Sequence, residues 1–357
     1  MLVLSEKDVR MCLTMADCLD INRKALMSIA SPESAAQVGG VGNVPARLGL
    51  RGPLSPAAAA SGAAEDWTLI KPASFDATNS ATASLMGMKI VSIRSQNPNR
   101  GLPLVPATVL VLDAESGIVQ AILNATYLTG ARTAASSGLA TQLARPDAKH
   151  LVVFGAGLQA ECHIEAIETA IGRTLPKITI VNRTRERAEA LKQKILSDTN
   201  ASRDIEVVLL GDDSHVQSAL STADVVAATT NATTPLFDGS ILPTGCHVNG
   251  IGSYTPDMQE ISPSVVNRSR ILIDTNDAKT VGDLKPFLED NNNNKHPMTL
   301  LGDALAGTAG ESWSSQDPQY DCTFFKGVGT AIQDVMTADF VVKKARELGI
   351  GTDVDMS

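Results

Sequence analysis

The 357-residue sequence has few cysteines, and none is placed to pair with another. The five, Cys12, Cys18, Cys162, Cys246 and Cys322, are odd in number, scattered, and never in a C-x-x-C spacing. Neither a disulfide framework nor a structural zinc site is therefore expected, and a reducing, cytoplasmic compartment is. The five histidines, His150, His163, His215, His247 and His296, also stand apart, so no metal is expected. No apolar run approaches the roughly 18–20 residues of a membrane span. The opening MLVLSEKDVRMCLTM puts Glu6, Lys7, Asp8 and Arg10 where a secretory leader needs an apolar core, so no signal peptide is expected. Positive charge is not in excess either. A formal net charge of −9 argues against nucleic acid or an anionic membrane as the main partner. There is no G-x-S-x-G, and nothing in the sequence activates Ser136, Ser137 or Cys162 as a nucleophile.

What is present is ordinary for a globular protein: 43% hydrophobic and 19% charged residues. The length suits roughly two domains. Residues 6–30 read as one amphipathic helix, with Val9, Cys12, Leu13, Ala16 and Leu19 at helical spacing. A Gly-, Pro- and Ala-rich stretch follows, with a short strand near Ala46–Leu50 and a long surface loop from Gly52 to Asp66. MGMKIVSI (86–93), ATVLVLD (107–113) and GIVQAIL (117–123) read as strands, the last two joined through Glu115-Ser116-Gly117. This half is α+β with a mainly antiparallel sheet. From about residue 128 the texture changes. A small-residue helix, TGARTAASSGLATQLA, leads into apolar runs that alternate with amphipathic stretches: LVVF, ITIV, IEVVLL, DVVAAT, HVNGI and ILID. Such alternation predicts an α/β fold with a doubly wound parallel sheet. The tail from Phe325 reads as a Gly-rich turn and a long helix, and NNNN (291–294) as a low-complexity loop.

LVVFGAGLQA (151–160) is a strand running through Gly155, Ala156 and Gly157 into a helix. One glycine permits the tight bend, and a second lets a phosphate approach the backbone. The third position of G-x-G-x-x-G needs only a small side chain, which Ala160 supplies. The pyrophosphate of a dinucleotide would lie on free N–H groups at the helix start. The alternative is a purely structural turn, which the succession of strand–helix units disfavours. The next strand then distinguishes the cofactors. An NAD site usually has Asp or Glu at its end, accepting from the ribose hydroxyl. Here the strand ends in Asn182-Arg183-Thr184-Arg185, with Arg187 close by. A guanidinium is a two-pronged donor for phosphate, so NADPH is expected rather than NADH. The cofactor-binding candidates are Gly155, Gly157, Leu158, Gln159, Asn182, Arg183, Thr184, Arg187, Thr229, Thr230 and Gly329.

Taken together, GAGLQA, VNRTRERA, TGARTAA, VNGIGSYTPDMQE and FKGVG resemble the ornithine cyclodeaminase/μ-crystallin family, over nearly the whole chain. The resemblance implies a substrate-binding and dimerisation domain from residues 1–127 with 325–357, and a Rossmann domain over 128–324. It implies a homodimer acting on a small imino or keto acid. It also nominates the residues that hold the substrate carboxylate. The family's P-x-R-L-x-L strand matches Pro45-Ala46-Arg47-Leu48-Gly49-Leu50, its strand lysine matches Lys89, and its helix arginine matches Arg132 in GARTAA. Planar guanidinium groups suit carboxylates, and an ammonium in an apolar strand is costly without an anion. Arg132 is expected at a helix N-terminus, opposed to the dipole. Each of the three has a plainer alternative: Arg47 a surface strand residue, Lys89 an outward-facing lysine, Arg132 the partner of a structural carboxylate or of a cofactor phosphate.

Ornithine cyclodeaminases of the family carry an Asp that handles the substrate amine. Alignment on Gly252 and Pro256 puts Tyr254 in its place. Asp257 and Glu260 follow, with Pro256-Asp257 expected to open a short helix as a cap, the alternative being a catalytic acid. Together with the missing strand-end acid, this points to reduction of a C=N bond beside a carboxylate, in a cyclic ketimine or an imine formed from an α-keto acid and an amine. The alternatives are ornithine cyclodeamination and a non-catalytic NADPH-dependent binding role like that of lens μ-crystallin.

Overall fold

The computed structural model describes residues 1–52, 66–79, 81–198, 202–289, 296–309 and 318–356. Most of the expected Gly52–Asp66 loop, and NNNN, lie outside the described residues. The chain divides into two compact units, Met1–Arg132 with Thr330–Ser357, and Thr133–Gly329.

The first unit begins with β1 (Leu2–Leu4), α1 (Glu6–Cys12), α2 (Met15–Ser28) and α3 (Pro32–Gln37). One helix over 6–30 was expected, and two form. Thr14 is the reason: its hydroxyl accepts from Asp17 N at 3.1 Å, while the Asp17 carboxylate accepts from Thr14 N at 3.3 Å. That reciprocal cap starts a new helix and leaves Leu13 extended. The strands β2 (Gly40–Asn43), β3 (Leu48–Arg51), β4 (Trp67–Ala77), β5 (Leu85–Ile93), β6 (Ala107–Leu112) and β7 (Val119–Asn124) follow, then α4 (Thr126–Ala144). β4 is not anticipated by the sequence, because Pro72 interrupts its strand pattern.

In the second unit come β8 (His150–Phe154), α5 (Leu158–Ile171), β9 (Lys177–Asn182), α6 (Arg185–Asp198), β10 (Asp204–Leu209), α7 (Asp213–Leu220), β11 (Val225–Ala228) and β12 (His247–Gly250). They are followed by α8 (Pro263–Arg268), β13 (Ser269–Ile273), α9 (Lys285–Glu289), β14 (Met298–Leu300), α10 (Leu301–Ala306) and β15 (Cys322–Lys326). The chain then re-enters the first unit as α11 (Ala331–Leu348) and β16 (Thr352–Asp353).

The first sheet runs β16-β1-β7-β6-β5-β4-β2, with β3 also on β4. It is antiparallel except where β1 lies parallel to β7. Alternation gives it two different faces. One is buried: α11 packs on β4, β5, β6 and α2, around Ala25, Ala73, Phe75, Ala331, Ile332 and Val335. A Cβ on Gly87 would stand 2.6 Å from Leu110 O and 3.2 Å from Val335, so glycine there lets α11 lie close.

The second sheet is parallel throughout, in the order β10-β9-β8-β11-β12-β15-β13-β14. Its first five strands have the order 3-2-1-4-5 of the doubly wound nucleotide-binding sheet. Apolar layers cover both faces. The strand order reverses between β8 and β11, and ligands of such sheets bind at that reversal, beyond the strands' C-terminal ends. β14 and β15 were not anticipated. No helix among the described residues is long and apolar enough to cross a membrane.

Candidate active site

Lys89 lies mid-strand in β5, Arg132 in the second turn of α4, and Asp334 in the first turn of α11. The fold brings all three together inside the first unit. Lys89 Nζ donates to Asp334 Oδ1 at 2.7 Å, and Arg132 Nε lies 2.9 Å from the same oxygen. Thr129 Oγ1 accepts from Lys89 Nζ at 3.4 Å. Gln333 Oε1 accepts from Thr330 N at 3.0 Å and from Arg132 at 3.5 Å, and Gln333 Nε2 donates to Asn22 Oδ1 at 3.0 Å.

Lys89 and Asp334 are wholly buried and Arg132 is 5% exposed. Burial, then the charge of Arg132, pushes the Lys89 ammonium well below the usual lysine range, against the pull of Asp334. Burial acts on Asp334 in the opposite sense, but Arg132, Lys89 and Lys71 more than offset it and hold the carboxyl below its ordinary value. The outward-facing alternative for Lys89 is thereby removed. The helix-terminus argument for Arg132 is corrected too. α4 starts at Thr126, so Arg132 sits past the first turn, where the dipole has little effect.

Two members of this cluster were missed by sequence reasoning. Lys71 is buried on β4 directly across from Lys89 on β5. Its signal was the one that marked Lys89, a lysine inside an apolar strand. Asp334 could have been found as an acid set among Ala331, Ile332, Val335 and Met336 at the start of the tail helix. Arg47 lies half-buried just ahead of β3. The next residue, Leu48, opposes Ile70 on β4.

The second unit contributes the glycine turn. Gly155 has φ +108°, and a Cβ there would meet Thr229 Oγ1 at 2.8 Å. Its conformation and its close approach to β11 both require glycine. A Cβ on Gly157 would meet nothing within 4 Å, so the backbone there is open. Gly157 caps α5 without any side-chain bond, which leaves the helix-start N–H groups facing that opening. Leu158 and Gln159 form the first turn, and Gln159 Oε1 is buried with no hydrogen-bond partner. An open turn, an uncapped helix start and an orphan acceptor fit a dinucleotide. At the end of β9, Asn182 Nδ2 donates to Thr184 O at 2.8 Å, shaping the turn that leaves Arg183, Thr184 and Arg187 exposed.

Beyond β11, Thr229 Oγ1 donates to Phe154 O at 2.7 Å. Thr230 donates through N (2.8 Å) and Oγ1 (2.6 Å) to Glu260 Oε1, while Gly252 N donates to Glu260 Oε2 at 2.7 Å. The wholly buried Glu260 thus ties the loop after β11 to the loop after β12. Burial raises its pKa, which the Thr230 hydroxyl and Lys326 oppose. Its backbone N donates to Asp283, whose other oxygen is 2.9 Å from buried Lys326. The expected cap at Pro256-Asp257 is corrected: no helix opens there, and α8 begins only at Pro263. Tyr254 is half-buried in this loop. Gly329, the last cofactor candidate, donates its N–H to Asp274 Oδ2 at 2.6 Å.

Ser137 Oγ does meet a histidine, His163 Nε2, at 3.0 Å. Both are wholly buried, and burial pushes His163 down to about 4, so the pair is packing rather than a nucleophile and its base. Cys162 is buried on the same helix. Among the described residues no His, Cys, Asp and Glu group could hold a metal ion.

Gly157→Ala should leave the thermal unfolding midpoint nearly unchanged, because its Cβ meets nothing, yet weaken dinucleotide binding about tenfold or more by blocking the phosphate approach. Fluorescence titration with NADPH alongside a melting curve checks this.

Comparison with known proteins places this geometry. The ornithine cyclodeaminase/mu-crystallin family matches residues 74–349. A Δ(1)-pyrroline-2-carboxylate reductase of Bacillus cereus is 32% identical over 275 residues, 76% of this chain and 80% of that protein. The ketimine reductase mu-crystallin of Rattus norvegicus is 28% identical over 267 residues, 73% of this chain and 77% of that one. Among solved structures, Thermococcus litoralis Δ(1)-pyrroline-2-carboxylate reductase in complex with NADH and L-proline has the same fold. Its TM-score is 0.83 at 24% identity, over 99% of this chain and 100% of that one. The chain belongs to the ornithine cyclodeaminase/μ-crystallin family.

Proposed function

We propose that this protein reduces the C=N bond of a ketimine bearing an α-carboxylate, such as Δ(1)-pyrroline-2-carboxylate, to the amino acid, with NADPH preferred over NADH. The observation that carries this is the buried meeting of Lys89 and Arg132 at one oxygen of Asp334, within reach of the charge of Lys71. Burying cations is costly unless they serve an anion, and the substrate carboxylate is that anion. Reduction adds a hydride to the imine carbon and a proton to its nitrogen. The nicotinamide dinucleotide supplies the hydride when bound.

Arg132 and Arg47 hold the substrate carboxylate, and the rigid fork of each guanidinium sets its orientation. Lys89 Nζ holds the proton for the imine nitrogen. Its lowered pKa makes it a readier acid than an exposed lysine, and Asp334 keeps it in place. Gly155, Gly157 and the start of α5 receive the pyrophosphate. Arg183, with Thr184 and Arg187 beside it, receives the 2′-phosphate. Tyr254, standing where the family's cyclodeaminases have Asp, supports reduction over deaminating cyclisation.

The acting form is a homodimer joined through the open face of the first sheet. Leu48, Ile70 and Ile90 stand in register across β3, β4 and β5 on that face, with Leu48 57% and Ile90 38% exposed. An apolar row of this kind fits a second copy better than water.

NADPH oxidation with Δ(1)-pyrroline-2-carboxylate tests the central claim, and no turnover above background with any cyclic ketimine would sink it. Lys89→Met should lower kcat by roughly 10²–10⁴-fold while NADPH still binds. Because Lys89 must be protonated, kcat/KM should fall as pH rises, with an apparent pKa below the ordinary lysine value of 10.5. Arg183→Ala should raise the KM for NADPH about tenfold and leave that for NADH little changed, the loss expected for one charge-assisted contact. Ile90→Glu should shift the sedimentation coefficient from dimer to monomer.

A further inference from the structure

The Ser137–His163 pair is no nucleophile and base, yet it has a direction that packing alone does not require. His163 is wholly buried on α5, the helix that gives Ala160, Ile164 and Ile167 to an apolar layer. A hydrocarbon would fill that place without a polar group to satisfy. His163 Nδ1 is 2.6 Å from Gln159 O. A carbonyl oxygen can only accept, so Nδ1 carries the ring proton and donates it. Nε2 is then the acceptor, and Ser137 Oγ donates to it at 3.0 Å. Burial keeps the ring neutral by pushing its pKa down to about 4, so this one tautomer persists at ordinary pH.

The bond lands on a particular peptide. Gln159 C=O and Ala160 N–H share one rigid plane and point in opposite directions. That N–H belongs to the first turn of α5, where N–H groups have no partner within the helix and where Gly157 supplies no side-chain cap. A cap would occupy the groups that a phosphate needs. His163 steadies the turn from its carbonyl side instead. The clamp has a firm base. Thr141 Oγ1 donates to Ser137 O at 2.8 Å and accepts from Asn249 Nδ2 at 3.0 Å. Asn249 Oδ1 accepts from His247 Nε2 at 3.2 Å, and His247 Nδ1 accepts from Thr323 Oγ1 at 2.8 Å. A buried polar chain thus runs from β15 and β12 through α4 to the first turn of α5.

We propose that His163 is a positioning residue for the dinucleotide: oriented by Ser137, it holds the Gln159–Ala160 peptide so that its N–H faces the pyrophosphate before the cofactor arrives. This rests on the reading of the glycine turn as a dinucleotide site. Order that binding would otherwise have to impose on the backbone is already present. The imidazole moves no proton and makes no bond to the cofactor.

Replacing His163 separates this role from packing, because apolar fit and hydrogen bonding rank the variants in opposite orders. His163→Leu keeps the core apolar and removes the donor. His163→Asn places Nδ2 where Nδ1 stands. The same bond, four residues back along a helix, already occurs at Asn22, whose Nδ2 donates to Cys18 O at 2.7 Å. His163→Leu should melt at a higher temperature than His163→Asn. It should nevertheless bind NADPH about tenfold more weakly than wild type in a fluorescence titration, the scale of one buried hydrogen bond. His163→Asn should stay within about threefold of wild type. In turnover with a cyclic ketimine, the loss in His163→Leu should fall on the KM for NADPH and not on kcat. Should His163→Leu fail to fold, His163→Gln, whose longer amide reaches the place of Nε2 rather than Nδ1, should show the same weakened binding beside His163→Asn. Wild-type affinity in the variant that lacks the donor, or affinities that follow the melting temperatures, overturns the proposal and leaves the dinucleotide reading standing. A wild-type protein that binds neither NADPH nor NADH overturns both.

Discussion

One oxygen of Asp334 accepts from a lysine on a sheet and faces an arginine on a helix, all inside the first unit. Much else follows from that contact. It fixes the side chains of Lys89 and Arg132, and through neighbouring Gln333 it reaches Asn22 on α2 and the cap of α11. A buried ion pair adds little net stability compared with well-packed hydrocarbon, but removal of one member is severe, on the order of 3–5 kcal/mol. The first unit is thus held in one arrangement by a group whose loss it tolerates poorly. The same cations define its anion-binding character.

The second unit works differently. Its binding surface is built from backbone at strand ends, with side chains acting mainly as struts. Gly155 passes close to Thr229, Glu260 ties the loops after β11 and β12, and Asp274 holds the N–H groups of Val328 and Gly329. Gly252 leaves no space for any side chain, since a Cβ there would run into Thr230 O and the Glu260 carboxylate. Preorganised backbone is what a dinucleotide fold needs, because the cofactor carries the reactive group and the protein supplies its position.

The parts legible in the sequence were those with a local signature. The glycine turn announced itself because it joins an apolar strand to a helix, and the alternation of strands and helices gave the parallel sheet before any coordinate. Lys89 was nominated by the family resemblance, and the cost of an ammonium in an apolar strand agreed with it. What escaped had signatures that only the fold completes. β4 was hidden by Pro72, although its neighbours supply the pairing. The break at Thr14 was hidden because the apolar periodicity continues through it while the capping box ends one helix and begins another. Asp334 looked like any acid near a helix start until α11 was laid on β5. Glu260 looked like a residue of a surface turn until its carboxylate was found to accept two hydrogen bonds from the loop after β11 and one from Gly252 in its own loop.

The division of the chain also orders its assembly in time. The nucleotide-binding unit is one continuous segment, Thr133–Gly329, so all its contacts become available together. The charge cluster cannot form that way, because Lys89 and Asp334 are 245 positions apart. While the chain is being synthesised, Lys71, Lys89 and Arg132 emerge long before the carboxylate that draws them together. A sheet face bearing these cations resists collapse until α11 arrives to neutralise and cover it, and closing so long a loop is the slow kind of folding step. Asp334 therefore acts as a late checkpoint: the middle of the chain is free to fold first, and the two ends become a single unit only afterwards.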